Sequence, residues 1–210
     1  RQRQMCIRDR GSSEVKGRVK SKWRHLEAVI TAEGSDPQAE FVLTAEKPCT
    51  MVLDVVSLFP PTFKNRPNGC RRDLAEMLLA MRPAFVRFPG GCVVEGNIKP
   101  ENAWHWERTV GPIERRPGHM NANWGYPSTD GLGFHEYLQL CEDLGAKPLY
   151  VVNVGIWHGG CTPIDSLQGW IDECLAALEY ANGPVTSRYG KMRAANGHPE
   201  PTRPISISYA

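Results

Sequence analysis

No stretch of this 210-residue chain is apolar for the roughly 18 residues a membrane helix needs, so no membrane partner is expected. No apolar segment follows the basic N-terminus, as a secretory leader would require. There is no C-x-x-C pair, which leaves a zinc ribbon or thioredoxin-like centre without support. There is no G-x-S-x-G elbow, no Walker loop and no G-x-G-x-x-G ahead of a helix. Gly131-Leu132-Gly133 lacks the third glycine and follows a loop. His158 with His105 or His119 matches no metal-ligand spacing, so neither a metal nor another cofactor is expected. Internal repeats and low-complexity linkers are missing too.

What is present is an ordinary globular balance, with 41% apolar and 23% charged residues and a net charge of +2. The charge is unevenly spread. Residues 1–24 hold nine Lys/Arg against Asp9 and Glu14, so the rest of the chain is net acidic. A basic arm raises nucleic-acid binding as an alternative. Only Trp23 comes near to supplying the aromatics that stack on bases, so no nucleic-acid partner is expected. The opening RQRQMCIRDR reads as a translated adaptor and is set aside from the fold. The seven cysteines are odd in number and widely spaced. Cys141 and Cys174 fall at apolar helical positions and read as core thiols.

Three regions separate by pattern. Residues 25–32, 39–45 and 50–58 read as strands divided by turns around Pro37 and Pro48, which suggests the end of a β-sandwich. Residues 71–81 predict a helix, with Leu74, Met77, Leu78 and Met81 at helical spacing, stopped by Pro83. Residues 84–88 predict a buried-type strand. A loop of about forty residues follows. A second helix is expected over 132–144, with Gly145 as its C-terminal stop. Then come a strand over 148–155 and a third helix over 163–181, with Thr162 as N-cap and Ile164, Leu167, Ile171, Cys174, Leu175 and Leu178 as its buried face. Helix alternating with near-continuous apolar strand is the pattern of a parallel α/β arrangement. Both strands would then release their C-terminal ends at one edge, where ligands bind in such folds.

The chemistry concentrates at that edge. Arg87 is a charge inside a buried-type strand and calls for a carboxylate, several carbonyls or a ligand. Gly90-Gly91 lets the backbone turn sharply or approach a ligand. Glu95 follows on the same side, and Asn153 ends the next strand. The loop carries Trp104-His105-Trp106 and Trp124-Gly125-Tyr126 among several Asn. Aromatic faces stack on the C–H faces of sugars, and Asn, Glu and Arg bind ring hydroxyls, so this composition favours a carbohydrate cleft. The competing readings are a structural ion pair for Arg87 and a packed surface loop with its own small core.

Six segments resemble the α-L-arabinofuranosidases of glycoside hydrolase family 51. They are residues 57–69 (SLFPPTFKNRPNG), 87–96 (RFPGGCVVEG), 111–119 (GPIERRPGH), 129–137 (TDGLGFHEY), 141–146 (CEDLGA) and 193–201 (RAANGHPEP). The likeness covers about residues 17–201, to the larger members with a sandwich-like module before the barrel. It implies an α/β fold: a partial (β/α)8 TIM barrel over 59–201, preceded by the C-terminal part of a β-sandwich carbohydrate-binding-like module over 17–58. Residues 1–16 and 202–210 stand as non-family tails. It also implies a retaining, exo-acting enzyme that removes terminal α-L-arabinofuranosyl residues from arabinan- or arabinoxylan-type polysaccharides by means of two glutamates. The family's acid/base lies in a Gly-Asn-Glu run expected just after Pro201. No Asn-Glu dipeptide occurs in the chain, so both catalytic glutamates are expected beyond it and the fragment is expected to be inactive. The resemblance places Arg87 and Cys92 beside the reacting sugar, where many smaller relatives carry Asn in place of Cys92, and puts Trp106 at the border of that subsite. Glu95 and Asn153 join them by strand-end geometry alone, as substrate-binding residues. The parent enzyme is expected to be extracellular or periplasmic. The alternative function is a non-catalytic carbohydrate-binding module.

Overall fold

The computed structural model describes residues 3–8, 21–32, 34–45, 47–201 and 206–209. The chain divides into two compact units, Arg1–Asp54 and Val55–Ala210. In the first, β1 (Arg3–Arg8) pairs antiparallel with β2 (Glu40–Ala45), Arg3 opposite Ala45 and Arg8 opposite Glu40. Strand β1 lies in the segment set aside as adaptor-like, and residues 9–20 of the basic arm lie outside the described residues. Of the three strands expected here, only the middle one forms. Residues 25–32 and 50–58 carry no regular structure. Strand propensity is expressed only against a cross-strand neighbour. Their apolar side chains Val29, Val52 and Val56 stay exposed.

Along the second unit the elements run α1 (Arg72–Ala80), β3 (Phe85–Phe88), α2 (Gly91–Glu95), β4 (His119–Asn121), β5 (Tyr126–Ser128), α3 (Phe134–Leu144), β6 (Lys147–Val152), β7 (Ile156–Trp157), β8 (Gly160–Cys161), α4 (Gln168–Asn182), α5 (Arg188–Ala195) and β9 (Ser206–Tyr209). β3, β6 and β9 form a parallel sheet with β6 in the middle, in the register Phe88 opposite Tyr150 and Val152 opposite Tyr209. Parallel neighbours need long crossovers. Here α3 joins β3 to β6, and α4 with α5 joins β6 to β9. The pairs β4–β5 and β7–β8 are antiparallel hairpins in loops the sequence left unassigned.

The core fills one face of this sheet. Phe88 and Tyr150 from the strands meet Phe134, Leu138 and Cys141 from α3, and Ala177, Tyr180 and Ala181 from α4. Trp104 and Trp106 from the long loop complete it. Phe134 lies 4.7 Å from Tyr150 and 5.3 Å from Trp106, ring centre to ring centre, in tilted geometry.

Two expected helix faces turn out differently. In α1 the Leu74, Met77, Leu78 and Met81 stripe is exposed, Met77 at 66% and Met81 at 75%, and Ala75 is the residue buried. In α4 the buried residues are Ala176, Ala177, Tyr180 and Ala181, while Ile171 and Leu175 face outward. These alanines share one cluster with Trp106, and Tyr189 and Met192 of α5 pack against it. Thr162 does not cap α4. Its hydroxyl oxygen accepts the Trp170 indole N–H at 3.0 Å, and α4 begins at Gln168 after a 3₁₀ turn. Helix α3 begins at a backbone the sequence did not reveal as capped. The Thr109 hydroxyl oxygen accepts the Phe134 N–H at 2.9 Å, and Glu136 accepts the Gly133 N–H at 2.9 Å. Gly145 closes α3 at φ 70°, ψ 15°, as expected.

Candidate functional site

The C-terminal ends of β3 and β6 lie side by side because Arg87 pairs with Leu149 and Phe88 with Tyr150. Strand alternation sends Phe88 into the core and leaves Arg87 on the opposite, exposed face. Among the described residues Arg87 makes no side-chain hydrogen bond or ion pair. Its guanidinium lies over Gly90: a Cβ there would stand 2.8 Å from Arg87 Nη1, and Gly90 has φ +100°, a conformation that favours glycine. The chain then turns into α2, which carries Cys92 exposed and Glu95 partly buried.

Each expected site residue has a definite place. Arg87, Cys92, Glu95 and Asn153 gather at this edge. Glu95 Oε2 lies 3.3 Å from His158 Nε2, in the two-residue turn between β7 and β8. Asn153 spends its side chain on the backbone. Its Oδ1 accepts the N–H groups of Gly155 (2.7 Å) and Ile156 (2.9 Å), and its Nδ2 donates to the Val94 carbonyl at 3.0 Å. Asn153 therefore ties the β6 turn to α2, a positioning role not foreseen for it. Trp106 is 0% exposed, and its indole N–H donates to the Glu173 carbonyl at 3.1 Å. It packs against Phe134, Tyr180 and Tyr189 as part of the core, so the sugar-facing ring expected at this position is not an open surface here.

The long loop is ordered by buried polar contacts. Arg116 donates to the carbonyls of Gly111, Asp130 and Gly131 and pairs with Glu136. Asn123 Nδ2 donates to the carbonyls of Cys92 (3.0 Å) and Gly96 (3.2 Å), which fastens the loop to α2. Behind the sheet, His135 sits between Tyr180 and Gln139 at 2.8 and 2.9 Å, and desolvation pushes its pKa down to about 4. Sequence reasoning missed these polar partners. The one signal was that Arg116, Asp130 and Glu136 fall in the runs that carry the family resemblance. Among the described residues no group of three or more His, Cys, Asp or Glu is placed to hold a metal ion.

A family profile described as "Alpha-L-arabinofuranosidase 1 domain" matches residues 77–207, more than half the chain. The chain belongs to the α-L-arabinofuranosidases of glycoside hydrolase family 51. Alpha-L-arabinofuranosidase 1 of Arabidopsis thaliana is 41% identical over 181 residues, 86% of this chain and 26% of the plant protein. The extracellular exo-alpha-L-arabinofuranosidase of Streptomyces chartreusis is 41% identical over 201 residues, 88% of this chain and 24% of its own length. An arabinose-bound family 51 α-L-arabinofuranosidase superposes with a TM-score of 0.68 at 43% identity, covering 72% of this chain and 24% of that one. The arabinose complex of the Thermotoga maritima enzyme gives 0.52 at 30% identity, over 67% and 25%. The chain thus spans about a quarter of the length of the curated arabinofuranosidases it matches. The family match takes in β3, the approach of Arg87 to Gly90, α2, the long loop and β6.

Proposed function

We propose that this chain is part of a retaining, exo-acting α-L-arabinofuranosidase that releases terminal arabinofuranosyl residues from arabinan- or arabinoxylan-type polysaccharides outside the cell or in the periplasm. In this reading residues 59–201 are the first part of a (β/α)8 barrel, and residues 17–58 end a sandwich-like module. Arg87 carries the reading: a strand arginine with no partner among the described residues, at the C-terminal end of a parallel strand, beside a glycine that leaves room above it. An unpaired guanidinium at that edge suits a ligand with several oxygens or a carboxylate brought by another strand.

In the proposed reaction a carboxylic acid protonates the leaving glycosidic oxygen while a carboxylate attacks the anomeric carbon. Water then cleaves the covalent glycosyl-enzyme, with the first residue acting as base. The residues of this chain bind and orient. Arg87 and the α2 face carrying Cys92 line the sugar pocket, and Asn153 holds α2 in place. Glu95 is engaged by His158 and stands outside the family's Gly-Asn-Glu context, so it is not the acid/base. With no Asn-Glu dipeptide among its 210 residues, the chain alone is expected to turn over nothing.

The test is hydrolysis of an aryl α-L-arabinofuranoside by the 210-residue chain and by the full-length protein that carries it. The expected result is no turnover by the chain and turnover with retained anomeric configuration by the full-length protein. Turnover by the chain that disappears on Glu95→Gln would overturn the assignment.

A further inference from the structure

Outside the Arg87 edge, His105 is held by a carboxylate through one ring nitrogen. His105 Nδ1 lies 2.9 and 3.1 Å from the two Glu173 carboxylate oxygens. A carboxylate only accepts, so Nδ1 carries the proton, and Nε2 is the ring atom left to meet a ligand hydroxyl, accepting from it in the neutral ring and donating to it in the imidazolium. Among the described residues Nε2 has no hydrogen-bond partner. The ring is fixed further by stacking on Trp170, with centroids 5.6 Å apart and planes 16° from parallel. The side chains of His105 and Glu173 are 21% and 24% exposed, so water reaches the pair.

The place matters as much as the pair. Glu173 and Trp170 lie in the first half of α4, next to the C-terminal end of β6. They share a small cavity with Trp104, Val152 and Asn153. Glu173 also accepts the Trp106 indole N–H on its backbone carbonyl. One residue of α4 thus holds both His105 and Trp106. Here the orienting side is closed and the Nε2 side is left open, beside aromatic faces and next to the ligand edge.

We propose that His105, oriented by Glu173 and flanked by Trp170, binds a sugar hydroxyl of the polysaccharide chain next to the sugar being cleaved. The hydroxyl hydrogen-bonds His105 Nε2, and the Trp170 ring borders the C–H face of that sugar. His105 is the binding residue and Glu173 its positioning residue. This inference rests on the glycosidase reading above.

The test uses the full-length protein that carries this chain, with wild type, His105→Ala, Glu173→Gln and Glu173→Ala compared on an aryl α-L-arabinofuranoside and on a linear arabino-oligosaccharide. His105→Gln, nearer in volume, replaces His105→Ala if the latter fails to fold. The ratio of kcat/KM for oligosaccharide over aryl substrate is expected to fall about tenfold in His105→Ala, through KM, on the scale of removing one hydrogen bond. Glu173→Gln keeps an acceptor oxygen for Nδ1–H and is expected to lose less than Glu173→Ala. An unchanged ratio in His105→Ala, whether both substrates fall together or neither does, overturns the proposal. So does Glu173→Gln losing as much as Glu173→Ala. Calorimetric binding of the oligosaccharide is read separately. Wild type that hydrolyses neither substrate sinks the glycosidase reading. In that event oligosaccharide binding that disappears in His105→Ala still supports the proposed role of His105, and binding kept, or missing from wild type, overturns it.

Discussion

Arg116 and Glu136 meet in a two-point pair, Nη2 to Oε1 at 2.7 Å and Nη1 to Oε2 at 3.1 Å, with side chains only 1% and 4% exposed. Arg116 also holds three carbonyls of the long loop, and Glu136 accepts the Gly133 N–H at the start of α3. The pair is therefore the joint through which the loop is attached to the first turn of that helix.

Removing one partner would strand the other charge. Arg116→Met leaves the Glu136 carboxylate buried and the loop carbonyls unpaired. Breaking a buried pair this way typically costs about 3–5 kcal/mol. The expected outcome is an unfolding free energy, from urea titration, lowered by that amount. A shift below about 1 kcal/mol, the scale of an exposed ion pair, would show that the joint does not hold the loop.

Much of the α/β unit was legible in the sequence because its signals are local. Pro83 and Gly145 mark where α1 and α3 stop, and apolar runs mark β3 and β6. Partnership was not legible. The Met77–Met81 face has helical spacing but no described element covers it, and α4 buries Ala176, Ala177 and Ala181 in the cluster of Trp106 while Leu175 stays exposed. At the site, Arg87 could be singled out as a charge in an apolar strand. The roles of Asn153 and Trp106 could not, since each depends on a backbone group far away in sequence: Val94 for one, Glu173 for the other. Helix α5 escaped notice because its buried anchor is an arginine. Arg193 is 0% exposed and donates to the carbonyls of Tyr180, Gly183, His198 and Pro199.

His135 gives the fold an acid sensitivity. Desolvation is the main cause of its fall from 6.5 to about 4. Between those values the unfolded chain binds a proton that the folded chain refuses, so stability is full above pH 6.5 and is lost as pH drops toward 4. The ceiling is of order 3 kcal/mol, from about 1.4 kcal/mol per pH unit. Urea midpoints measured from pH 7 to pH 4.5 are expected to decline. His135→Gln, which does not titrate, is expected to show a shallower decline, and an equal slope would count against the assignment.

The cysteines divide by environment. Cys49, Cys92 and Cys161 are exposed and free, whereas Cys141 is buried and its thiol is pushed up to about 12 by burial. The thiolate is the reactive form, so a disulfide reagent at pH 8 is expected to label the first three and to reach Cys141 only after denaturation. Peptide mapping by mass spectrometry reads this directly. Early labelling of Cys141 would mean that the packing of α3 against Phe88 and Tyr150 opens readily.

Arg87 separates binding from stability most cleanly. Its side chain lies on the face of β3 opposite the core and no described residue pairs with it, so replacement removes no bond among the described residues. Such surface changes usually shift stability by no more than about 0.5 kcal/mol. Lysine keeps the charge but loses the planar fork that grips two oxygens at once. Arg87→Lys in the full-length protein is therefore expected to melt within a degree or two of wild type. Its kcat/KM on an aryl α-L-arabinofuranoside should fall roughly 100-fold, the scale of taking one preorganised donor away from the transition state. Full activity in Arg87→Lys would make the guanidinium a bystander. Reduced stability with unchanged kinetics would make it part of the scaffold, and either result removes Arg87 from the sugar pocket.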